Sequence, residues 1–168
     1  MLVFGFLIAI IYVPIFLFWI NDDFRKRFSE VNSFGRDQWI EVIIGLLYGM
    51  IIITGFSLNS VNSLLRVSIG VVIYLFGLGM TFWGYWNFLK NNGLIESGAY
   101  SYSRNPTYIF GFVAVLGVVI MTEALGLFIV LAIQIVLTHR VILNEEKALA
   151  KKYGKKYEQY KKKVKRYF

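Results

Sequence analysis

Residues 107–143 read TYIFGFVAVLGVVIMTEALGLFIVLAIQIVLTHRVIL, and this run decides the class of fold. A helix crosses roughly 30 Å of hydrocarbon with about 20 apolar residues, so the run is too long for one crossing. The polar pair Thr122-Glu123 near its middle predicts a tight helical hairpin. The first arm, Tyr108 to Met121, is short for a full crossing and calls for a tilt or for packing against protein. Working outward, three more windows are long enough to span: Leu65 to Leu89, Trp39 to Phe56, and Leu2 to Ile20, the last interrupted only by Pro14. The composition agrees. With 57% hydrophobic residues and 18% aromatics, a chain of 168 residues carries more apolar surface than a soluble core can hide.

The expected fold is therefore all-α: an integral membrane protein of about five transmembrane helices with a basic C-terminal helix. Leu2 to Ile20 reads as a retained span, because it has neither a basic leading segment nor a small-residue cleavage site. Basic residues check the count independently. Five spans put Arg25, Lys26, Arg27, Arg36, Lys90, Arg104 and every cation beyond His139 on one side, leaving only Arg66 on the other. The positive-inside rule then sets the N-terminus outside and the C-terminal tail in the cytoplasm. Gly45 and Gly49, Gly77 and Gly79, and Gly111, Ala114 and Gly117 are expected to let helices pack closely. Trp19, Trp39, Trp83 and Trp86 lie near helix ends, where interfacial anchoring is the ordinary reading. The absence of cysteine excludes disulfides, thiolate nucleophiles and cysteine-based metal sites, and no metal site is expected.

Two polar segments fall on the cytoplasmic side of the last two spans. The first, Gly93 to Gly111, mixes turn formers, tyrosines and Arg104 directly before a helix start at Pro106 or Thr107, where free backbone N–H groups favour an anion. The competing reading is a connector whose Arg104 meets lipid phosphate. The second, His139 to Lys147, contains His139, Arg140 and the pair Glu145-Glu146 at the exit of the last span. Ionisable groups beside a bilayer are candidates for function. A structural reading competes here also: Asn144 as the cap of a new helix with both glutamates in its first turn. Beyond it, Leu149, Tyr153, Tyr157, Tyr160 and Val164 recur at helical spacing with lysines on the other face. That pattern is a basic amphipathic helix suited to anionic lipid headgroups, and not to nucleic acid.

Taken together and in this order, the two segments resemble the C-terminal signature of the isoprenylcysteine carboxyl methyltransferase and phospholipid N-methyltransferase type of membrane enzyme. The match runs through Gly98-Ala99-Tyr100, Arg104-Asn105-Pro106-Thr107-Tyr108 and Gly111, then Glu145-Glu146, Leu149, Tyr153-Gly154, Tyr157, Tyr160 and Arg166. Three departures stand out. Ala99 replaces a usual proline, Asn105 fills a slot often held by histidine, and a closing proline is missing. Asparagine keeps a hydrogen-bonding side chain but does not titrate near neutrality.

The resemblance implies an S-adenosylmethionine-dependent methyltransferase acting on a lipophilic acceptor: a lipid amine, a prenylated carboxylate or a thiol. It implies cofactor contacts from Gly98, Tyr100, Arg104, Asn105, Pro106, Tyr108, Gly111, Glu145 and Glu146. Arg104, Arg140, Glu145 and His139 are the implied catalytic groups. Arg104 or the helix start would take the cofactor carboxylate, Glu145 or Glu146 its ammonium or ribose hydroxyls, and Tyr100 and Tyr108 its adenine or sulfonium. Residues 1–92 would form the scaffold on the acceptor side and residues 93–168 the cofactor-binding part of one structural unit. Two rival readings are an NADPH-dependent sterol-reductase-like oxidoreductase and a non-enzymatic membrane adaptor. Membrane lipids are the expected partners, and the residues do not specify an oligomeric state.

Overall fold

The computed structural model describes residues 63–122 and 125–168, together with Asp22, Ile40, Ile43 and Leu47. The expected spans Leu2 to Ile20 and Trp39 to Phe56 lie outside the described residues. Within them the chain is helical: α1 Leu64–Lys90, a short 3-10 turn Gly98–Ser101, α2 Pro106–Thr122, α3 Leu125–Tyr153 and α4 Lys155–Lys163. Of the three spans expected among the described residues, two, α1 and α3, are long and apolar enough to cross a membrane, and α2 is a shorter apolar helix.

Helix α1 begins where the Ser63 side chain accepts a hydrogen bond from the Arg66 backbone N–H, an N-cap that satisfies one of the open donors of the first turn. It closes with Lys90 in the last turn, complementing the helix dipole, and the Asn91 amide donates to the Asn87 carbonyl. Its buried residues are Gly70, Tyr74, Gly77 and Gly84, a narrow stripe at seven-residue spacing. This stripe meets α2 running antiparallel. A Cβ added at Gly70 would come within 2.7 Å of the Gly117 carbonyl oxygen, and one added at Gly84 within 2.7 Å of the Thr107 methyl. From the other side, a Cβ at Gly117 would stand 2.5 Å from the Tyr74 nitrogen. The two backbones are in direct contact, as small residues permit in helices packed without a hydrophobic drive between them. The expectation holds for Gly77 and Gly117 but not for Gly79 and Gly111, where an added Cβ meets nothing within 4 Å.

Large apolar side chains point the other way. Leu65, Val72, Phe76 and Trp86 on α1 and Ile129, Ile133 and Val136 on α3 are exposed, and only 17% and 33% of the most apolar windows of the two long helices are buried. Glycine inside with leucine and phenylalanine outside inverts the arrangement of a soluble core and suits lipid. The remaining core is Tyr74, Val115, Val118, Val119 and Met121 with Leu127 and Leu131 of α3. The hairpin breaks where expected, α2 ending at Thr122 and α3 starting at Leu125.

Asn144 does not cap a new helix. Helix α3 runs unbroken through Asn144, Glu145 and Glu146 to Tyr153, because no residue in that stretch breaks a helix and both glutamates are held by partners across the fold. The break comes at Gly154, whose φ of 52° lies in the left-handed region open to glycine. The amphipathic stripe of the tail is therefore divided between two helices and folded on itself. Tyr157, Tyr160 and Val164 pack with Leu149, Ala150, Tyr153 and Leu94 in a separate small core.

Candidate active site

The connection from α1 to α2 is held from both ends. Gly98 takes a φ of 64°, and a side chain there would collide with the Asn87 amide, so its role is to let the loop turn against α1. Further on, the Tyr100 carbonyl accepts from the Tyr160 hydroxyl at 2.7 Å, and Lys156 stands 3.8 Å from Glu96. These contacts lay α4 over the loop.

A short strap, residues 164–168, then returns across the start of α2. Its Lys165 carbonyl accepts from the Arg104 backbone N–H at 3.0 Å. Its Arg166 carbonyl accepts from the Ser103 hydroxyl at 3.0 Å and from the Asn105 amide at 3.3 Å. The same Ser103 oxygen accepts from the Asn105 backbone N–H, which fixes the turn that delivers Pro106 to the first helical position.

At the centre lies Glu146. Its carboxylate receives the Arg166 guanidinium as a two-point fork, Nε at 3.1 Å and Nη2 at 2.8 Å. Arg104 Nη2 approaches it at 3.2 Å and the Asn105 amide at 3.4 Å. Glu146 and Arg104 are both buried, whereas the Arg166 side chain is a third exposed. Hydrogen bonding to Glu146 is the main cause that raises the Arg166 pKa above its ordinary value. The Arg104 Nε and the Tyr157 hydroxyl are buried with no hydrogen-bond partner. Burial, first of all, pushes the Tyr157 and Tyr160 phenols above their usual range.

One turn away, the Tyr108 hydroxyl donates to Glu145 Oε1 at 2.6 Å, a short charge-assisted bond between α2 and α3. Beneath it is a cavity of about 350 Å³ between the same helices. Ile109, Phe112 and Leu116 form one wall, and Leu131, Ile135 and Ile142 form the other. His139 and Tyr167 also line it, and the His139 Nδ1 is hydrogen-bonded to the Tyr167 hydroxyl.

The two polar segments thus meet. Arg104, Asn105, Pro106 and Tyr108 come together with Glu145 and Glu146, and His139 stands at the adjoining cavity. Gly98 turns the loop, the Tyr100 carbonyl holds Tyr160, a Cβ added at Gly111 would meet nothing within 4 Å, and Arg140 is exposed. Sequence reasoning passed over Ser103 and Tyr167 and gave Tyr160 and Arg166 no role at the site. Arg166 carried a signal in the tail pattern. Ser103 and Tyr167 carried none, since their partners lie 63 and 28 residues away.

A family model described as phospholipid methyltransferase matches residues 50–156. Among curated proteins, the cobalt-zinc-cadmium resistance protein CzcN of Cupriavidus metallidurans is 39% identical over 57 residues, 34% of this chain and 26% of that protein. The chain thus matches about a quarter of that relative's length. No solved structure matches it. With the family model spanning more than half of its length, the chain belongs to the phospholipid methyltransferase family.

Proposed function

We propose that this member of the phospholipid methyltransferase family transfers a methyl group from S-adenosylmethionine to a lipophilic acceptor at the cytoplasmic face of a membrane. The observation that carries the reading is the convergence of Arg104 and Tyr108 with Glu145 and Glu146 beside an apolar cavity of ligand size. The cofactor, when bound, supplies an electrophilic methyl group on a sulfonium. The residues present fit it. Arg104 has a buried Nε without a partner, a guanidinium donor that suits a carboxylate. Glu145, oriented by Tyr108, suits an ammonium or ribose hydroxyls. Glu146 is taken up by two guanidiniums and so positions Arg104 rather than binding the cofactor itself.

Methyl transfer is a displacement at carbon, and the protein's part is to align the reactants and exclude water. The α2–α3 cavity is open to apolar chains, and His139 or Glu145 would take up the proton of a protic acceptor. Residues 1–92 serve as scaffold on the acceptor side, and the exposed lysines of α4 keep the tail among anionic headgroups. In this reading the chain spans five times with its tail inside.

Titration of the detergent-solubilised protein with S-adenosylmethionine and with NADPH tests the proposal calorimetrically. Binding of the first alone is expected, with affinity reduced in Tyr108→Phe and Glu145→Gln. Binding of NADPH instead would favour the reductase reading, and binding of neither the adaptor. Unchanged affinity in both folded variants would remove the assignment of Glu145.

A further inference from the structure

Tyr167 is held on both sides in the strap. Before it, the Arg166 carbonyl is gripped by Ser103 and Asn105 and the Arg166 guanidinium by Glu146. After it, the Phe168 ring lies edge-on to Phe110 of α2, with ring centroids 6.1 Å apart. The tyrosine is thereby presented to the one histidine of the chain, His139 on α3, their ring centroids 6.0 Å apart and the hydroxyl on Nδ1. Both side chains line the cavity, whose other lining residues are aliphatic or aromatic hydrocarbon. A hydroxyl both donates and accepts, so it can hold Nδ1 in either neutral tautomer and leave Nε2 for another partner. The Tyr167 hydroxyl is protonated at neutral pH, as any phenol of ordinary pKa is, and burial raises it further, with Arg166 opposing.

We propose that Tyr167 is a positioning residue that fixes the His139 imidazole as the polar end of the α2–α3 cavity. The site takes an amphiphile with one apolar chain against Ile109, Leu116 and Ile135 and a hydrogen-bonding head group on His139 Nε2. A purely polar ligand would lose its hydration against these walls without replacement, whereas the His139–Tyr167 pair stands at the exposed end of the cavity, where a head group keeps contact with water. This deepens the methyl-transfer reading, on which it rests only in making the amphiphile the methyl acceptor.

With a single histidine, the imidazole can be read directly. Nitrogen-15 long-range spectra of the histidine-labelled protein in lipid nanodiscs, with lysophosphatidylethanolamine as probe, test the proposal. Wild type is expected to show a hydrogen-bonded Nδ1 and a response of Nε2 to the probe. Tyr167→Phe keeps the ring and the strap but is expected to lose the Nδ1 signature and to bind the probe about tenfold more weakly, the worth of one hydrogen bond. Identical imidazole spectra in wild type and Tyr167→Phe overturn the pairing. Spectra unmoved by the probe overturn the ligand class. Calorimetry with S-adenosylmethionine on the same samples separates the readings: failure there, with the imidazole response intact, removes methyl transfer and leaves this site standing.

Discussion

Along the α1–α2 seam the backbones touch at Gly70, Gly77 and Gly117, whereas at the mouth above it the strap, α2 and α3 are joined by long charged side chains. The seam lies where lipid offers no hydrophobic drive between helices, so contact depends on shape and on the absence of side chains. The mouth lies at the polar end of the spans, where water and headgroups make charge affordable and a carboxylate can hold two guanidiniums. One region tolerates no added volume. The other tolerates no lost charge.

The largest expected effect breaks the mouth. Glu146→Gln leaves Arg104 and Arg166 facing each other with no anion between them, a loss of about 3 kcal/mol, the low end for a broken buried pair because Arg166 is partly exposed. Hydrogen exchange should show strap and α4 released while α1 and α2 stay protected; a protected strap would mean that the apolar tail core suffices alone. Next comes the seam. Gly117→Val forces atoms into the Tyr74 backbone and should destabilise the detergent-solubilised protein by about 1–3 kcal/mol, with Gly111→Ala on the same helix near neutral. Equal losses in both would show that the close approach at Gly117 does not set the stability of the seam, since helix propensity favours either replacement over glycine.

The smallest effect concerns the tail core. Tyr157 and Tyr160 have raised phenol pKa values, so their contribution to stability is whole below the ordinary value of 10.0 and is lost as pH climbs above it. After allowance for base catalysis of exchange itself, the protection factors of the α4 amides should be lower at pH 11 than at pH 8, with a smaller drop in Tyr157→Phe. That variant should cost little at neutral pH, since it removes a buried hydroxyl that has no partner.

What was legible in the chain follows the same division. The limits of α1 came within one residue of the expected Leu65 to Leu89, because lipid imposes a length and an apolar composition that hydropathy records directly. Pro106 marked the start of α2 through its own chemistry. Gly111 and Gly117, by contrast, look alike in sequence, and only the rotation of α2 against α1 decides which one is needed. Asn144 suits a cap or a helix interior, and the choice was made by Arg104 and Arg166 holding the neighbouring Glu146. The tail stripe had the right period, but its pattern did not name Leu94 as the residue its apolar face packs against. Local rules describe spans and turns; which distant side chains they bring together depends on the fold.

The strap has one further consequence, in the order of biosynthesis. Ser103 and Arg104 emerge from the ribosome some sixty residues before Lys165 and Arg166, the residues that cover them. Until then Arg104 and Glu146 wait without their last partner. A chain cut short before residue 165 would keep the residues of all four described helices and lose the contacts that close the mouth.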